Sequence, residues 1–504
     1  MAIVAETLLD GRNRRTLIVT ALACVALFYV GSARLLFQDD AFIHLRIAHN
    51  LMLHGYYSFN GDSPTYSTSS PLFTALLGVL SKAIPGPYLP KILDVVVYAA
   101  LFCLIARIFI RASTTVAAFS SLAFLAAVAS PIGVRWLTDG METGLTGLVA
   151  VLLGGVACDI MRRRHARQIP RTLLLMALGA FATTLRVEFS FIIALIGCAS
   201  LTDSRNRWRL DAQALALAFG SVTGLLTIWS VFGTLLPDTA IAKVTEHSSS
   251  VPQLRDMAGT IVDIVKAQGG ASFFGVMMGL SWFGAFLVGL RNPEGRWYSI
   301  TLNAGFMVFI ALIVLRNQQI QGYRYFVFIE FFLASFNTLN LPRMSPERPR
   351  QPAVSWALSP AAALAVGFVF IGAWQIFDYS RLQRVSAGRS ASFLAVKDAP
   401  MADLAGTFGI AWDVGFVGYF SNGVILDADG LINGREIARM HKRDRLQNFV
   451  SSHPIKFVFA NDGQLSELDG LLDMRNWTKR GSFDFPNFGG ETDRHYLLVR
   501  NTAD

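Results

Sequence analysis

Long apolar runs separated by short polar loops occupy most of the chain as far as residue 377. Many of these runs reach about 17–25 residues, the length at which a helix crosses a hydrocarbon core of about 30 Å. The pattern therefore predicts a polytopic α-helical membrane protein with about eleven transmembrane helices, two of them short. The predicted spans are residues 17–36, 92–110, 115–132, 141–161, 172–185, 189–201, 214–236, 273–290, 298–315, 325–341 and 356–377.

Two apolar runs near the start of the chain are interpreted differently. Residues 17–36 follow Arg12, Arg14 and Arg15 but form a longer core than a cleaved signal peptide, so we interpret them as a retained first helix. Residues 71–84 are too few to span and are interpreted as an interfacial helix. A polar, aromatic first outer loop, residues 37–84, therefore lies between the first two spans.

Basic residues gather in alternate loops, including Arg107 with Arg111 and the cluster that begins at Arg162. By the positive-inside rule these loops are cytoplasmic, which places residues 37–84 and a second large loop, residues 237–270, outside. Counting residues 71–84 as a span would move every later loop to the opposite side of the membrane and place the basic clusters outside. Orientation in the membrane thus explains the formal net charge of +9, and nucleic-acid binding is excluded as a function class.

The sequence becomes mixed and moderately charged from residue 378 to residue 504, and loop parity places this part outside. Strand-like runs at residues 455–460 and 496–499 alternate with a helix-like stretch at residues 436–449, with turn signals between them. The chain is therefore predicted to have two domains, a transmembrane domain of residues 1–377 and a small extracytoplasmic α/β domain of residues 378–504.

Composition agrees with a membrane protein and argues against a cysteine framework. Apolar residues make up 53% of the chain and charged residues 16%, against about 45–50% and about 25% in soluble domains. The four cysteines lie inside apolar runs, without CxxC spacing or a histidine partner, so we interpret them as small apolar side chains. They are Cys24, Cys103, Cys158 and Cys198.

Two adjacent acids, Asp39 and Asp40, follow the first predicted helix directly. Adjacent like charges beside a low-dielectric surface raise at least one pKa unless a cation compensates, which is typical of a functional site. The apolar positions from Phe42 to Met52 recur at helical spacing, so the pair also suits the N-terminus of an interfacial helix. The residues alone leave a catalytic pair and a helix cap as equal alternatives.

Further polar side chains recur at the outer ends of predicted helices. Each one has a simpler explanation, since charged groups at helix ends commonly reach the interface. Together they form a coherent outward-facing set that combines carboxylates for proton transfer with cations for a phosphate. The set comprises Glu142, Arg186, Glu188, Asp238, Lys243, Tyr323 and Arg324.

The sequence Asp39-Asp40-Ala41-Phe42-Ile43, followed by Tyr66-Ser67-Thr68-Ser69-Ser70-Pro71, resembles the first loop of the GT-C glycosyltransferases, most closely the arabinofuranosyltransferase B type. Similar stretches follow in the same order: Gly140-Met141-Glu142-Thr143, Arg186-Val187-Glu188, Pro237-Asp238 to Lys243, and Trp412-Asp413-Val414-Gly415 to Asn433. The resemblance implies a GT-C-like catalytic domain in a bacterial cytoplasmic membrane, with the site facing the periplasm or the outside.

The resemblance also implies roles for individual residues. Asp39 is expected to be the general base, with Asp40 positioning it, the acceptor or a divalent cation. Lys243 and Arg324 are expected to bind the donor phosphate. The donor would be a polyprenyl-phosphate sugar, with arabinofuranose the first to test, and the acceptor a glycan, lipid or protein. The expected substrate-binding residues are His44, Arg46, Tyr66, Glu142, Arg186, Glu188, Asp238 and Tyr323.

Two other functions fit the same helix count. A transporter or flippase of lipid-linked sugars would carry its charges near the bilayer midplane and in broken helices, whereas the acids here cluster at outer ends. A non-enzymatic glycan-binding protein would tolerate loss of Asp39. In the C-terminal domain, the set to test for acceptor binding, against a simple packed lid, is Trp412, Asp413, Tyr419, Asp427 and Asp429.

Overall fold

The computed structural model describes most of the chain, and all structural statements below refer to the described residues. These are residues 11–61, 64–112, 115–162, 169–201, 211–247, 273–284, 286–287, 290, 296–315, 327–340, 360–399, 401–486 and 492–501.

Helices form nearly all of the described chain before residue 399. Those of the membrane domain are α1 Gly11–Ser32, α2 Asp39–His54, α3 Pro71–Ser81, α4 Leu89–Ile110, α5 Thr115–Val128, α6 Pro131–Leu137, α7 Thr143–Arg162, α8 Ile169–Leu185, α9 Phe189–Leu201, α10 Ala212–Phe232, α11 Asp238–His247, α12 Phe273–Gly279, α13 Arg296–Leu315, α14 Val327–Asn340 and α15 Pro360–Asp398. A π-helical turn, Leu280–Gly284, continues α12.

Apolar helices that can cross a membrane confirm a multi-pass membrane protein. Within the described ranges, four are long and apolar enough by themselves, in α1, α4, α7 and α10. The run expected at residues 115–132 is instead split into α5 and α6, which meet at a bend of 68°. The first helix ends at Val128, and Ser130 caps the second, whose first residue is Pro131, by accepting the Gly133 N–H with its side chain. The expected total of eleven spans stays a prediction.

Close backbone contact joins α8 to α10. Gly220 and Gly224 form a small-xxx-small pair on α10, and a Cβ atom at either position would collide with the backbone of α8. The hydroxyl groups of Thr183 and Ser221 meet across the same interface at 2.8 Å. Contact of this kind suits helices in lipid, where packing and interhelical hydrogen bonds replace the hydrophobic driving force.

The helix α15 runs without interruption for 39 residues. The domain boundary expected after residue 377 falls inside it, and the C-terminal fold begins near Ala402. On the way, α15 contacts the segment that joins α1 to α2, because Ser386 donates to the Ser32 carbonyl at 3.1 Å and Arg389 donates to the Gln38 side chain at 3.0 Å. The last helix of the membrane domain therefore buttresses the first outer loop.

A five-stranded sheet forms the core of the C-terminal domain, which confirms the predicted small α/β domain. Its strands are β1 Phe408–Ala411, β2 Val424–Asp427, β3 Ile455–Asn461, β4 Trp477–Pro486 and β5 Thr492–Arg500, in the order β2-β1-β3-β5-β4. The first three strands are parallel, with Ile410 opposite Leu426 and Val458, whereas β5 is antiparallel to both β3 and β4. The helices of this domain are α16 Val414–Ser421, α17 Arg435–Ala438, α18 Lys442–Ser452 and α19 Asp462–Ser466.

An aromatic core joins the two domains. Phe42 of α2 is fully buried, and its ring lies 4.7 Å from Phe416 of α16, 5.5 Å from Phe393 of α15 and 5.4 Å from Tyr419, measured between ring centroids. Contacts between aromatic rings stabilise such cores beyond the burial of area alone. The helix that carries the acidic pair is thus packed against the C-terminal domain.

Candidate active site

The acidic pair forms the first two residues of α2, whose N-terminus is held by the membrane domain. The Gln38 backbone N–H donates to the Asp139 carbonyl at 3.0 Å, and the buried Lys91 ammonium donates to the carbonyls of Leu36 and Thr138. Negative charge at this end of a helix is favoured by the helix dipole. The N-cap of α2 is Gln38, so the two acids follow the cap position and only the favourable helix dipole remains of the cap interpretation.

The loop after α6 packs tightly against the start of α2. Gly140 has a φ of +92°, and a Cβ atom there would lie 2.9 Å from the Cβ of Ala41. Its backbone N–H donates to the Asp94 carboxylate at 2.7 Å. Glycine is required here both for the left-handed backbone and for the close approach.

Asp39 is engaged by the C-terminal domain. One carboxylate oxygen accepts the Gly415 N–H at 2.7 Å and the other accepts the Phe416 N–H at 2.7 Å. Burial, followed by the nearby charges of Asp413 and Asp40, raises the pKa of Asp39, and the two amides oppose this shift. Both of its oxygens therefore have backbone partners on α16.

A buried chain of ionisable groups starts four residues after Asp40. The His44 Nε2 lies 3.5 Å from a Glu142 oxygen, and the other Glu142 oxygen accepts from Arg186 at 3.2 Å. Arg186 also pairs with Glu188 at 2.9 Å. The side chains of Glu142 and Arg186 are 0% and 1% exposed, while Glu188 is 30% exposed. Four residues expected at the site from the sequence are thus joined in one network.

Hydroxyl groups surround this network. The His44 Nδ1 and the Thr74 hydroxyl are 2.6 Å apart, and Thr74 also donates to the Ser70 carbonyl at 3.2 Å. Tyr57 and Thr68 share a hydrogen bond of 2.5 Å. The cluster therefore brings neutral hydrogen-bond donors and acceptors together with charged groups.

Tyr66 is buried beside the cluster, and its hydroxyl has no hydrogen-bond partner among the residues that the structure describes. Its ring stacks on Phe232 with centroids 4.4 Å apart. Burial, followed by the neighbouring Tyr57, raises the pKa of Tyr66, and Glu188, Arg186 and Asp238 make smaller contributions. A buried phenol without a partner is costly, since buried polar groups are normally hydrogen-bonded.

The helix α11 connects the first loop to the C-terminal domain. The Asp238 N–H donates to the Tyr66 carbonyl at 2.8 Å, and the Asp238 carboxylate lies 4.0 Å from Arg435 of α17. Burial raises the pKa of Asp238, and Arg435 opposes the shift. Lys243 is half-buried on the same helix. Arg435 is a cation near the cluster that the sequence did not single out.

The two acids lie on different faces of α2. Asp40 and His44 are four residues apart and share one face, whereas Asp39, Phe42 and Arg46 share another. The first face carries His44 to Glu142, and the second meets α16. Arg46, expected to bind substrate, donates instead to the carbonyls of Phe59, Gly418 and Gly423.

Two residues that the sequence predicts at the site, Tyr323 and Arg324, lie outside the described residues. Within the described ranges, no group of three or more His, Cys, Asp or Glu residues is arranged to hold a metal ion, so we assign no metal ligands.

The polar set of the C-terminal domain has internal contacts. Asp413 pairs with the buried His495 at 2.7 Å, and Lys442 bridges Asp429 and Glu467. Asp427 is the last residue of β2, and its carboxylate accepts the backbone N–H groups of Asp429 and Leu431 in the turn that leads to α17. Burial and the neighbouring Asp429 raise the pKa of Asp427 to about 8. These contacts favour a structural role for the set.

Two solved structures of ArnT from Cupriavidus metallidurans resemble the whole chain. The one bound to undecaprenyl phosphate has a TM-score of 0.56 and 12% identity, and the match covers 98% of this chain and 99% of ArnT. The apo structure has a TM-score of 0.54 at 12% identity, with 97% and 98% covered. The chain has the GT-C fold. This confirms the fold expected from the first-loop motif.

No protein-family model and no curated protein matches the chain. The mycobacterial arabinofuranosyltransferase AftD is similar at a TM-score of 0.43 and 14% identity, over 96% of this chain and 40% of AftD. The arabinofuranosyltransferase B type expected from the sequence stays a prediction.

Proposed function

We propose that the protein is an integral membrane glycosyltransferase that moves a sugar from a polyprenyl-phosphate donor to a hydroxyl group of an extracytoplasmic glycan, lipid or protein. The observation that carries the proposal is the acidic pair at the start of α2, next to the buried network of His44, Glu142 and Arg186, within a GT-C fold. The undecaprenyl phosphate bound to ArnT supports a lipid-phosphate donor.

The general base in this proposal is Asp40, in place of Asp39, which the resemblance favoured. A base must first reach the proton that it removes. Asp39 has the raised pKa that suits a base, but α16 covers its carboxylate, with both oxygens bonded to backbone amides. The two acids are both half-buried, but Asp40 shares its face of α2 with His44, on the side of the polar cluster.

The reaction is a direct displacement. The acceptor oxygen attacks the anomeric carbon, the bond from that carbon to the phosphate oxygen breaks, and polyprenyl phosphate leaves with the electron pair. The hydroxyl proton passes to the Asp40 carboxylate. Attack from the face opposite the leaving group inverts the anomeric centre, so NMR analysis of a product with retained configuration would overturn this step.

The leaving phosphate requires cations, and Arg186 is a poor candidate. Its guanidinium already faces the carboxylates of Glu142 and Glu188. Lys243 on α11 and Arg324 remain the proposed phosphate ligands. Arg186 and its partners would instead bind sugar hydroxyls, together with Tyr66, whose hydroxyl lacks a protein partner in the described part of the chain.

The proposed orientation follows from the loop charges. Arginine clusters on alternate loops place the acidic pair, the polar cluster and the C-terminal domain outside the cytoplasmic membrane of a bacterium. Nucleotide sugars are cytosolic, so this orientation supports a lipid-carried donor.

Donor consumption by the purified protein tests the proposal. The protein in detergent is incubated with a panel of polyprenyl-phosphate sugars, arabinofuranose first, together with short glycan acceptors, and the products are read by mass spectrometry. Asp40→Asn should reduce transfer by about 10²–10⁴-fold, the range for a lost general base, while donor binding persists.

A matched control uses an exposed aspartate of the same protein. Asp403 pairs with Arg480 on the surface of the C-terminal domain, so Asp403→Asn should retain full transfer. Full transfer by Asp40→Asn would refute Asp40 as the general base, and full transfer by both Asp39→Asn and Asp40→Asn would refute the mechanism. Transport of an intact lipid-linked sugar by the wild type, with no transfer, would favour a flippase.

A further inference from the structure

We propose that Asp39 and Arg46 of α2 bind the two ends of α16 of the C-terminal domain, that these contacts fix the register between the two helices, and that this clamp positions Asp40 for the reaction. The proposal rests on the glycosyltransferase function above for its catalytic consequence only. The clamp itself is a set of contacts, defined by Asp39 and Arg46 on α2 and by Gly415, Phe416 and Gly418 on α16.

At the N-terminus of α16, Asp39 performs the work of a helix cap. The first backbone N–H groups of a helix lack partners within it, and a side chain of the preceding residue usually accepts one of them. Here the preceding residue, Asp413, makes no such bond and pairs with His495 at 2.7 Å instead. Asp39, distant in sequence, accepts two of these N–H groups.

At the C-terminus of α16, Arg46 performs the complementary work. It donates to the carbonyl of Gly418, one of the last four of the helix, and to Gly423 just beyond, at 2.6 Å. A third bond reaches the Phe59 carbonyl of the first loop at 2.7 Å. Burial lowers the pKa of Arg46 to about 10, so it stays charged at neutral pH. Each end of the α16 dipole thus faces a side chain suited to it.

The spacing of the two contacts matches the length of α16. Asp39 and Arg46 are separated by seven residues, about 10 Å along α2, and α16 has eight residues. The two helices run parallel, with Phe42 packed on Phe416 between the ends. A slip of one turn would move both charged groups by about 5 Å and break both contacts together.

Two glycines permit this close approach. A Cβ atom on Gly415 would collide with the backbone of Asp39 and lie 2.9 Å from its carboxylate carbon. A Cβ atom on Gly418 would collide with the Phe59 ring. Since Asp40 follows Asp39 directly, any shift at this contact displaces the proposed base. Gly415, Gly418 and Arg46 are therefore positioning residues.

The test combines transfer kinetics with hydrogen–deuterium exchange of the full-length protein in detergent. Gly415→Ala and Arg46→Met perturb opposite ends of the clamp and leave both acids in place. Each should increase amide exchange in residues 414–421 at least tenfold, with β3 unchanged. Each should also lower kcat at least tenfold, with the donor KM within about twofold. Arg46→Lys, which keeps one charged donor, should recover part of both losses.

Gly463→Ala is the matched control, because this glycine lies in α19 of the same domain and a Cβ atom would meet only the Asn461 side chain, at 3.5 Å. It should change neither readout. Unchanged exchange in both clamp variants would overturn the clamp, and increased exchange with unchanged kcat would overturn its positioning role. A wild type that transfers no sugar would refute the proposed function, while the exchange experiment would still decide the clamp.

Discussion

Replacing Arg186 by methionine should destabilise the protein strongly, because the guanidinium is the counter-charge of a carboxylate that has no access to water. Glu142 is 0% exposed and lies 3.2 Å from Arg186, whereas Glu188 is 30% exposed and can be rehydrated. Removing one partner of a buried pair costs about 3–5 kcal/mol, since the other charge stays buried. Most of that loss should arise at Glu142.

The origin of the loss can be tested by a double-mutant cycle in thermal unfolding, followed by tryptophan fluorescence in detergent. Arg186→Met should melt well below the wild type, and adding Glu142→Gln should recover much of the difference, with a coupling of about 2 kcal/mol or more. Arg494→Met, at an exposed pair with Asp484, serves as the control and should change melting little. Wild-type melting of Arg186→Met, or strict additivity in the cycle, would refute the reasoning.

Two smaller changes test the surroundings of the acidic pair. Tyr66→Phe should preserve or slightly raise the melting temperature, because it removes a buried hydroxyl that has no partner in the described structure, and it should raise the KM for a sugar substrate. Tyr57→Phe should instead lose about 1 kcal/mol of stability, because it removes the hydrogen bond to Thr68. Gly140→Ala should reduce the free energy of unfolding by about 1–3 kcal/mol, through backbone strain and overpacking. Adding Ala41→Gly to this variant should recover the part of the loss that comes from the clash with the Ala41 Cβ, as measured by thermal unfolding. A destabilised Tyr66→Phe, or no recovery by Ala41→Gly, would contradict these expectations.

Helices bounded by charge could be predicted closely from the sequence. Residues 189–201 form α9 as expected, because Glu188 precedes an unbroken apolar run. The break between α5 and α6 was not predicted, since the run around Ser130 and Pro131 carries no charge, and hydropathy reports the environment of a residue rather than the continuity of a helix. For the same reason the change of polarity at residue 378 did not mark the end of α15. The helix continues from the apolar into the polar sequence without a break and ends at Asp398.

Most residues of the candidate site could be predicted from the sequence, but which of the two acids faces the polar cluster and which contacts the C-terminal domain could not. His44, Glu142, Arg186 and Glu188 could be singled out because charges at the outer ends of helices are few. The different surroundings of the two acids depend on contacts such as that from Asp39 to Gly415, which are 376 residues apart in the sequence. No local sequence pattern contains this information. Only the helical rotation of about 100° between neighbours hinted that adjacent acids would face different surroundings.

The length of α15 has a consequence for the substrate. With 39 residues this helix is about 58 Å long, nearly twice the thickness of a hydrocarbon core of about 30 Å. A hydrocarbon core could therefore enclose only about half of this helix, and its C-terminal part packs against β4 of the sheet domain. Under the proposed function, this continuous helix would fix the distance between the C-terminal domain and the membrane, and an acceptor would have to reach the acidic pair within that distance.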